Sequence, residues 1–192
     1  DEVPIVVHLP PGNGLGIVGP REAALRVARA ALGAAVVRHG PSGLRVQVDG
    51  DAETWEWTAR LPHTASRALT VGTRPTGRAT LLVVDCVEPA SRVTPQPVPP
   101  DAIVIALAPT RSALPATATT VIEVGEGGVS RPDMPRVSGH ADVTDLVCDE
   151  VSQLWAEELA DALAPLREAA TSGQAHLPDR VRLWDLVAPA SG

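Results

Sequence analysis

Leu15-Gly16-Ile17-Val18-Gly19-Pro20-Arg21-Glu22-Ala23-Ala24 is the stretch on which the reading of this chain turns. A short apolar strand runs into a Gly-Pro turn, and the turn opens a helix. Pro20 suits the start of a helix, where a missing N–H costs nothing. Leu25, Ala28, Leu32, Ala35 and Val36 then recur at helical spacing and give one apolar face. Arg26, Arg29 and Arg38 fall largely off that face, and His39-Gly40-Pro41 supplies the stop.

Working outward, Val3 to Leu9 reads as a strand before a Pro-Pro-Gly-Asn-Gly turn, and Leu44, Val46 and Val48 alternate with Arg45 and Gln47 as a half-buried strand does. Thr80 to Asp85 is a continuous apolar run ending in a carboxylate, and Ala102 to Leu107 and Thr120 to Val124 are two more buried-strand candidates. A short helix is expected over Glu53 to Ala59 and a short strand over Ala68 to Val71. The Pro-rich segment from Glu88 to Pro100 reads as an exposed loop, and Gly125 to Gly139 as turns with a hairpin. A helix from Asp149 to Arg167 follows. Its N-cap is expected at Asp149, with Val151, Leu154, Trp155, Leu159, Ala162, Leu163 and Leu166 on one face. Strands alternating with helices predict a three-layer α/β domain with a mostly parallel central sheet, Rossmann-like or P-loop-NTPase-like.

Composition narrows the function classes. The chain has 192 residues, enough for one core, and 44% of them are hydrophobic. A formal net charge of −7 speaks against nucleic acid, whose phosphates require a basic stripe. No apolar run is long enough for a membrane span. The abrupt opening at Asp1-Glu2-Val3 reads as a piece of something larger. Cys86 and Cys148 lie in apolar surroundings and are expected to be reduced. The five histidines are scattered without metal-ligand spacing, and His140-Ala141-Asp142 reads as a solvated turn. No metal and no cofactor is expected.

The strand–turn–helix at Gly19 is laid out like a phosphate-binding loop, in which backbone N–H groups and a helix N-terminus hold the phosphates. Such a loop needs a lysine to neutralise charge and a hydroxyl to hold Mg²⁺. All 16 basic residues here are arginines, and Pro20 removes an N–H donor. Glu22 places a negative charge where phosphate would sit, and no hydroxyl is in position. Gly19 and Arg21 are left as a weak anion site at most. Leu81-Leu82-Val83-Val84-Asp85-Cys86 has the form of a Walker B strand, but Cys86 stands where a water-activating glutamate is needed, and a thiol is a poor base for that task. Trp55 and Trp57 cannot share a helix face. Core packing is the simpler reading for them, but an exposed tryptophan would anchor an interface, so both are interface candidates.

Four segments in order carry a family resemblance. They are Gly16 to Glu22 with its alanine-rich helix, and Trp55-Glu56-Trp57 followed by Leu61-Pro62-His63-Thr64. The Leu81 to Asp85 strand comes next, then Trp155-Ala156-Glu157-Glu158-Leu159-Ala160 leading to Leu163-Ala164-Pro165-Leu166-Arg167. The chain resembles the FtsK/SpoIIIE-type membrane ATPase of type VII secretion systems, the EccC/EssC component. Within it, the match is to the degenerate ATPase-like domain between the transmembrane helices and the first ATPase module. Asp161 departs from that pattern, which is more basic there. The resemblance implies a non-catalytic scaffold, residues 1–170, with 171–192 leading toward the first motor module. It implies downstream ATPase modules and neighbouring secretion subunits as partners, on the cytoplasmic face of a membrane-anchored parent. The alternatives are an NTP-binding domain using Arg21 and a DNA-translocase-related fragment.

Overall fold

A computed structural model describes residues 8–64, 78–86, 99–125, 129–133 and 146–167. The expected strand at 68–71, most of the one at 3–9, the turn at His140 and the 171–192 segment lie outside the described residues. Seven strands form one sheet in the order β2-β3-β4-β1-β5-β6-β7. They are β1 (Gly14–Val18), β2 (Leu44–Asp49), β3 (Ala79–Asp85), β4 (Ile103–Ala108), β5 (Thr120–Val124), β6 (Val129–Asp133) and β7 (Leu146–Val147). The first five are mutually parallel, and β6 and β7 continue as an antiparallel extension.

Helix α1 (Arg21–Arg38) follows β1 directly, and α2 (Gln153–Leu163) comes near the end. Because side chains alternate across a strand, each strand serves two faces. Leu15, Ile17, Leu81, Val83, Ile105, Leu107, Ile122 and Val124 point to α1 and bury Leu25, Ala28, Leu32 and Val36 between helix and sheet. Leu82, Val84, Val104 and Ala106 line the other face, where Leu114 packs on them. Leu114 follows a single 3-10 turn, Arg111–Ala113. Among the described residues both helices therefore share one face, and the segment around Leu114 covers the other. Gly16 has no room for a side chain under that cover, since a Cβ there would stand 2.6 Å from a Leu114 methyl.

Four local expectations are corrected. The short helix after β2 is a 3-10 helix, η1 (Glu56–Arg60), displaced toward the C-terminus of the predicted span. Helix α2 begins later than expected, because Ser152 rather than Asp149 caps it and its hydroxyl accepts from the Trp155 N–H. The buried side of α2 is Ala156 and Ala160, while Leu154 (65%) and Trp155 (43%) are substantially exposed. Where α2 crosses α1 the small residue is Gly33 of α1, on which the Trp155 ring and Leu159 pack: a Cβ there would meet them at 3.0 Å and 3.3 Å. Arg29, expected off the apolar face of α1, is 4% exposed and sits under α2 with an Nη atom 3.4 Å from Gln153 Oε1. Burial pushes its guanidinium below the ordinary value.

Candidate functional site: a closed phosphate turn

The strand order fixes what can meet at the carboxyl ends of the strands, where open α/β sheets bind their ligands. β1 and β3 are separated by one strand, β4. Neighbouring strands lie about 4.8 Å apart, so the ends of β1 and β3 are within reach of one arginine side chain. The chain leaves β1 through Gly19, which has φ +150°. A side chain there would run into the Val124 carbonyl at the end of β5, so only glycine lets the turn lie this close to the sheet. Pro20 precedes the helix, and Ala24 N–H donates to its carbonyl at 3.0 Å.

Arg21, the first residue of α1, reaches across the end of β4 to Asp85, the last residue of β3. Its Nη1 donates to Oδ1 at 2.8 Å and its Nη2 to Oδ2 at 3.0 Å, a two-pronged match of guanidinium to carboxylate. The Asp85 side chain is 1% exposed and that of Arg21 33%. Trp55 Nε1–H donates to Asp85 Oδ2 at 2.9 Å from the opposite side. The bond to Asp85 raises the Arg21 guanidinium above its ordinary value, against an opposing effect of burial.

The loop between β2 and η1 closes the site from above. Asp51 accepts from the Thr54 N–H at 2.8 Å and from its hydroxyl at 2.9 Å, a capping turn that presents Trp55. Those bonds hold the Asp51 carboxyl below the usual range. Gly50 lets the turn pass, since a Cβ there would stand 2.9 Å from the Asp85 Cβ and 3.0 Å from the Trp55 ring. The η1 segment is tied in turn to α2. Arg60 Nη1 contacts both Asp161 carboxylate oxygens at 2.8 Å, and Arg167 donates to the Ala59 and Leu61 carbonyls.

What remains open at the turn is a cavity of about 80 Å³, lined by Gly19, Arg21, Ala24, Leu107, Ala108 and Pro109. Pockets that take cofactors run to roughly 300–1,000 Å³. This one cannot enclose a nucleotide without opening. No group of three or more metal-ligating side chains occurs among the described residues.

The structure thus brings three of the sequence candidates together, Gly19, Arg21 and Asp85, and separates the others. Cys86 packs with the Leu82 and Val84 cluster on the opposite face from Asp85, and its N–H is bonded to the Leu107 carbonyl at 2.8 Å. It is not poised over the turn. Trp55 and Trp57, candidates for an exposed interface, are 4% and 2% exposed, their ring centres 6.4 Å apart. The correction has a physical cause: η1 turns inward, so both rings enter the core. Cys86 and Cys148 are both half-buried.

Residues the sequence reading passed over are Gly50, Asp51 and Arg60. The Asp51-x-x-Thr54 spacing is a recognisable cap signal for the first pair. Nothing in the sequence singles out Arg60, and Arg167 stands there only as the end of a motif segment.

No protein-family model matches the chain. No curated protein matches it either. Among solved structures it is similar to one of EssC (ATPases 2 and 3) from Geobacillus thermodenitrificans, in its selenomethionine form, with a TM-score of 0.45 and 10% identity. That match covers 87% of this chain and 45% of the other, so the chain spans less than half of the neighbour's length. A likeness at that score carries no argument about function, and the α/β architecture stands on the strand order and packing described above.

Proposed function

We propose that this chain is a non-catalytic scaffold and interaction domain of a type VII secretion FtsK/SpoIIIE-like ATPase, coupling a membrane anchor to ATP-driven motor modules. The observation that carries the non-catalytic part is the Arg21–Asp85 pair. The cation available to a phosphate at the β1 turn and the carboxylate at the Walker B-like position neutralise each other. A phosphate arriving at Gly19 would have to break two charge-assisted hydrogen bonds and leave the buried Asp85 carboxylate without its guanidinium, a cost of about 3 kcal/mol. The motor assignment rests on the four motif segments quoted above, on the parallel sheet that orders them, and on the bond from Arg167 to the Leu61 carbonyl that joins two of them. No helix among the described residues is long and apolar enough to cross a membrane, so on this reading the anchor belongs to other parts of the parent.

The reading is tested by steady-state ATP hydrolysis with this chain and with the parent protein. The isolated chain should show no turnover above background. In the parent, Arg21→Ala should leave hydrolysis by the motor modules intact while weakening co-purification of neighbouring subunits. Turnover by the isolated chain that disappears in Arg21→Ala would instead establish the alternative, an NTPase with arginine in place of lysine. Arginine is a rigid planar fork, ill suited to follow a transferring phosphoryl group as a point charge.

A further inference from the structure

At the opposite, amino-terminal end of the β2–β3 edge, two arginines share one strand face, and among the described residues neither has a counter-ion. The register pairs Leu44 with Ala79, Arg45 with Thr80 and Gln47 with Leu82. Leu44 and Val46 face α1, so Arg45 and Gln47 project from the other face, together with Arg78 and Thr80 of the neighbouring strand line. Arg78 lies across this edge and its Nε donates to the Leu44 carbonyl at 3.2 Å, which leaves its terminal nitrogens free. Arg45 is half-buried, and its Nε is shut off from solvent with no hydrogen-bond partner.

Four other arginines meet carboxylates, Arg21 on Asp85, Arg26 on Glu150, Arg60 on Asp161 and Arg111 on Glu123, while Arg29 meets Gln153 and Arg167 two backbone carbonyls. Among the described residues no carboxylate meets Arg45 or Arg78. Burial first, and then the charge of Arg45, push the Arg78 guanidinium below its ordinary value. In a chain of net charge −7, a half-buried pair of like charges is an anomaly that a bound anion resolves.

We propose that Arg45 and Arg78, with Thr80 opposite Arg45 in the register, form an oxyanion site for a dianionic phosphate group. Two guanidiniums match a dianion in charge and in fork geometry, whereas a carboxylate would satisfy only one. The partly enclosed Arg45 Nε favours a small anion over a flat charged surface. The site is separate from the Gly19 turn, which lies at the other end of the strands.

The test is a titration of the whole chain with inorganic phosphate at low ionic strength, followed by backbone amide shifts. Saturable shifts centred on residues 43–47 and 78–82 are expected. Arg45→Gln should weaken phosphate binding about tenfold, the usual worth of one hydrogen bond to a charged group, and Thr80→Val should weaken it less. Non-saturating shifts, shifts centred on residues 19–24, or affinity unchanged in both variants would overturn the proposal. So would acetate binding as tightly as phosphate. Should Arg45→Gln fail to fold, the wild-type map and Thr80→Val still decide the matter.

Discussion

Arg21 and Asp85, 64 positions apart in sequence, meet in two parallel hydrogen bonds of 2.8 and 3.0 Å at the carboxyl ends of β1 and β3. The pair converts a turn shaped like a phosphate cradle into a closed structural joint. Such a pair gives little net stability, because desolvation offsets much of the attraction, but breaking it is costly.

Arg21→Ala should therefore destabilise the fold by about 3 kcal/mol, the low end for a buried pair because Arg21 is one-third exposed. The Arg21→Ala/Asp85→Asn double variant should lose clearly less than the two single losses added together. Urea unfolding of the four chains measures this. Additive losses would mean that the two residues do not act as a unit.

Trp55→Phe keeps most of the ring and deletes the donor to Asp85, so a loss of roughly 1.5–3 kcal/mol is expected. Trp57→Ala empties a fully buried site and should cost about 3–5 kcal/mol. If either variant keeps wild-type stability in thermal unfolding, the ring is not in the core.

Gly19→Ala drives a Cβ into the Val124 carbonyl at a backbone angle that L side chains rarely adopt. A loss of about 2 kcal/mol or more is expected on the strain alone. Amide exchange should show the damage first at the β1–α1 turn and the end of β5. Protection unchanged there would contradict the close approach.

His63 supplies a pH test. It is 1% exposed, and its Nε2–H donates to the His39 carbonyl at 2.7 Å while Nδ1 is buried without a partner. Burial chiefly, with Arg78 and His39 nearby, holds its pKa below the ordinary 6.5, against the bond to His39. The unfolded chain thus takes up the proton first. The stability from neutral His63 is whole above pH 6.5 and is lost as pH falls below it. Denaturant midpoints at pH 7.5 and pH 5.5 should differ more for the wild type than for His63→Gln; equal differences would remove His63 as the cause.

Much of the architecture is legible in the sequence because it is local. The apolar runs at 80–85, 102–107 and 120–124 become β3, β4 and β5, and Pro20 and Gly40 bracket α1 closely. The order of the strands is not local, and with it goes the identity of Arg21's partner. Arg21 reads in sequence as a residue awaiting an anion. The anion is Asp85, supplied by the chain itself two strands away. The expected α2 face holds for Leu159 and Leu163, which pack on the core, but its deepest contacts are Ala156 and Ala160, which an apolar count ranks below the exposed Leu154. Trp55 turns inward for a reason that periodicity does not encode, its hydrogen bond to a buried carboxylate, while Trp57 is buried by packing alone.

The most direct measurement is isothermal titration of the chain with Mg-ATP and Mg-ADP. With Arg21 held by Asp85 and about 80 Å³ left at the turn, no saturable heat that depends on Arg21 is expected at micromolar to sub-millimolar nucleotide. A micromolar site that Arg21→Ala abolishes would contradict a closed turn outright.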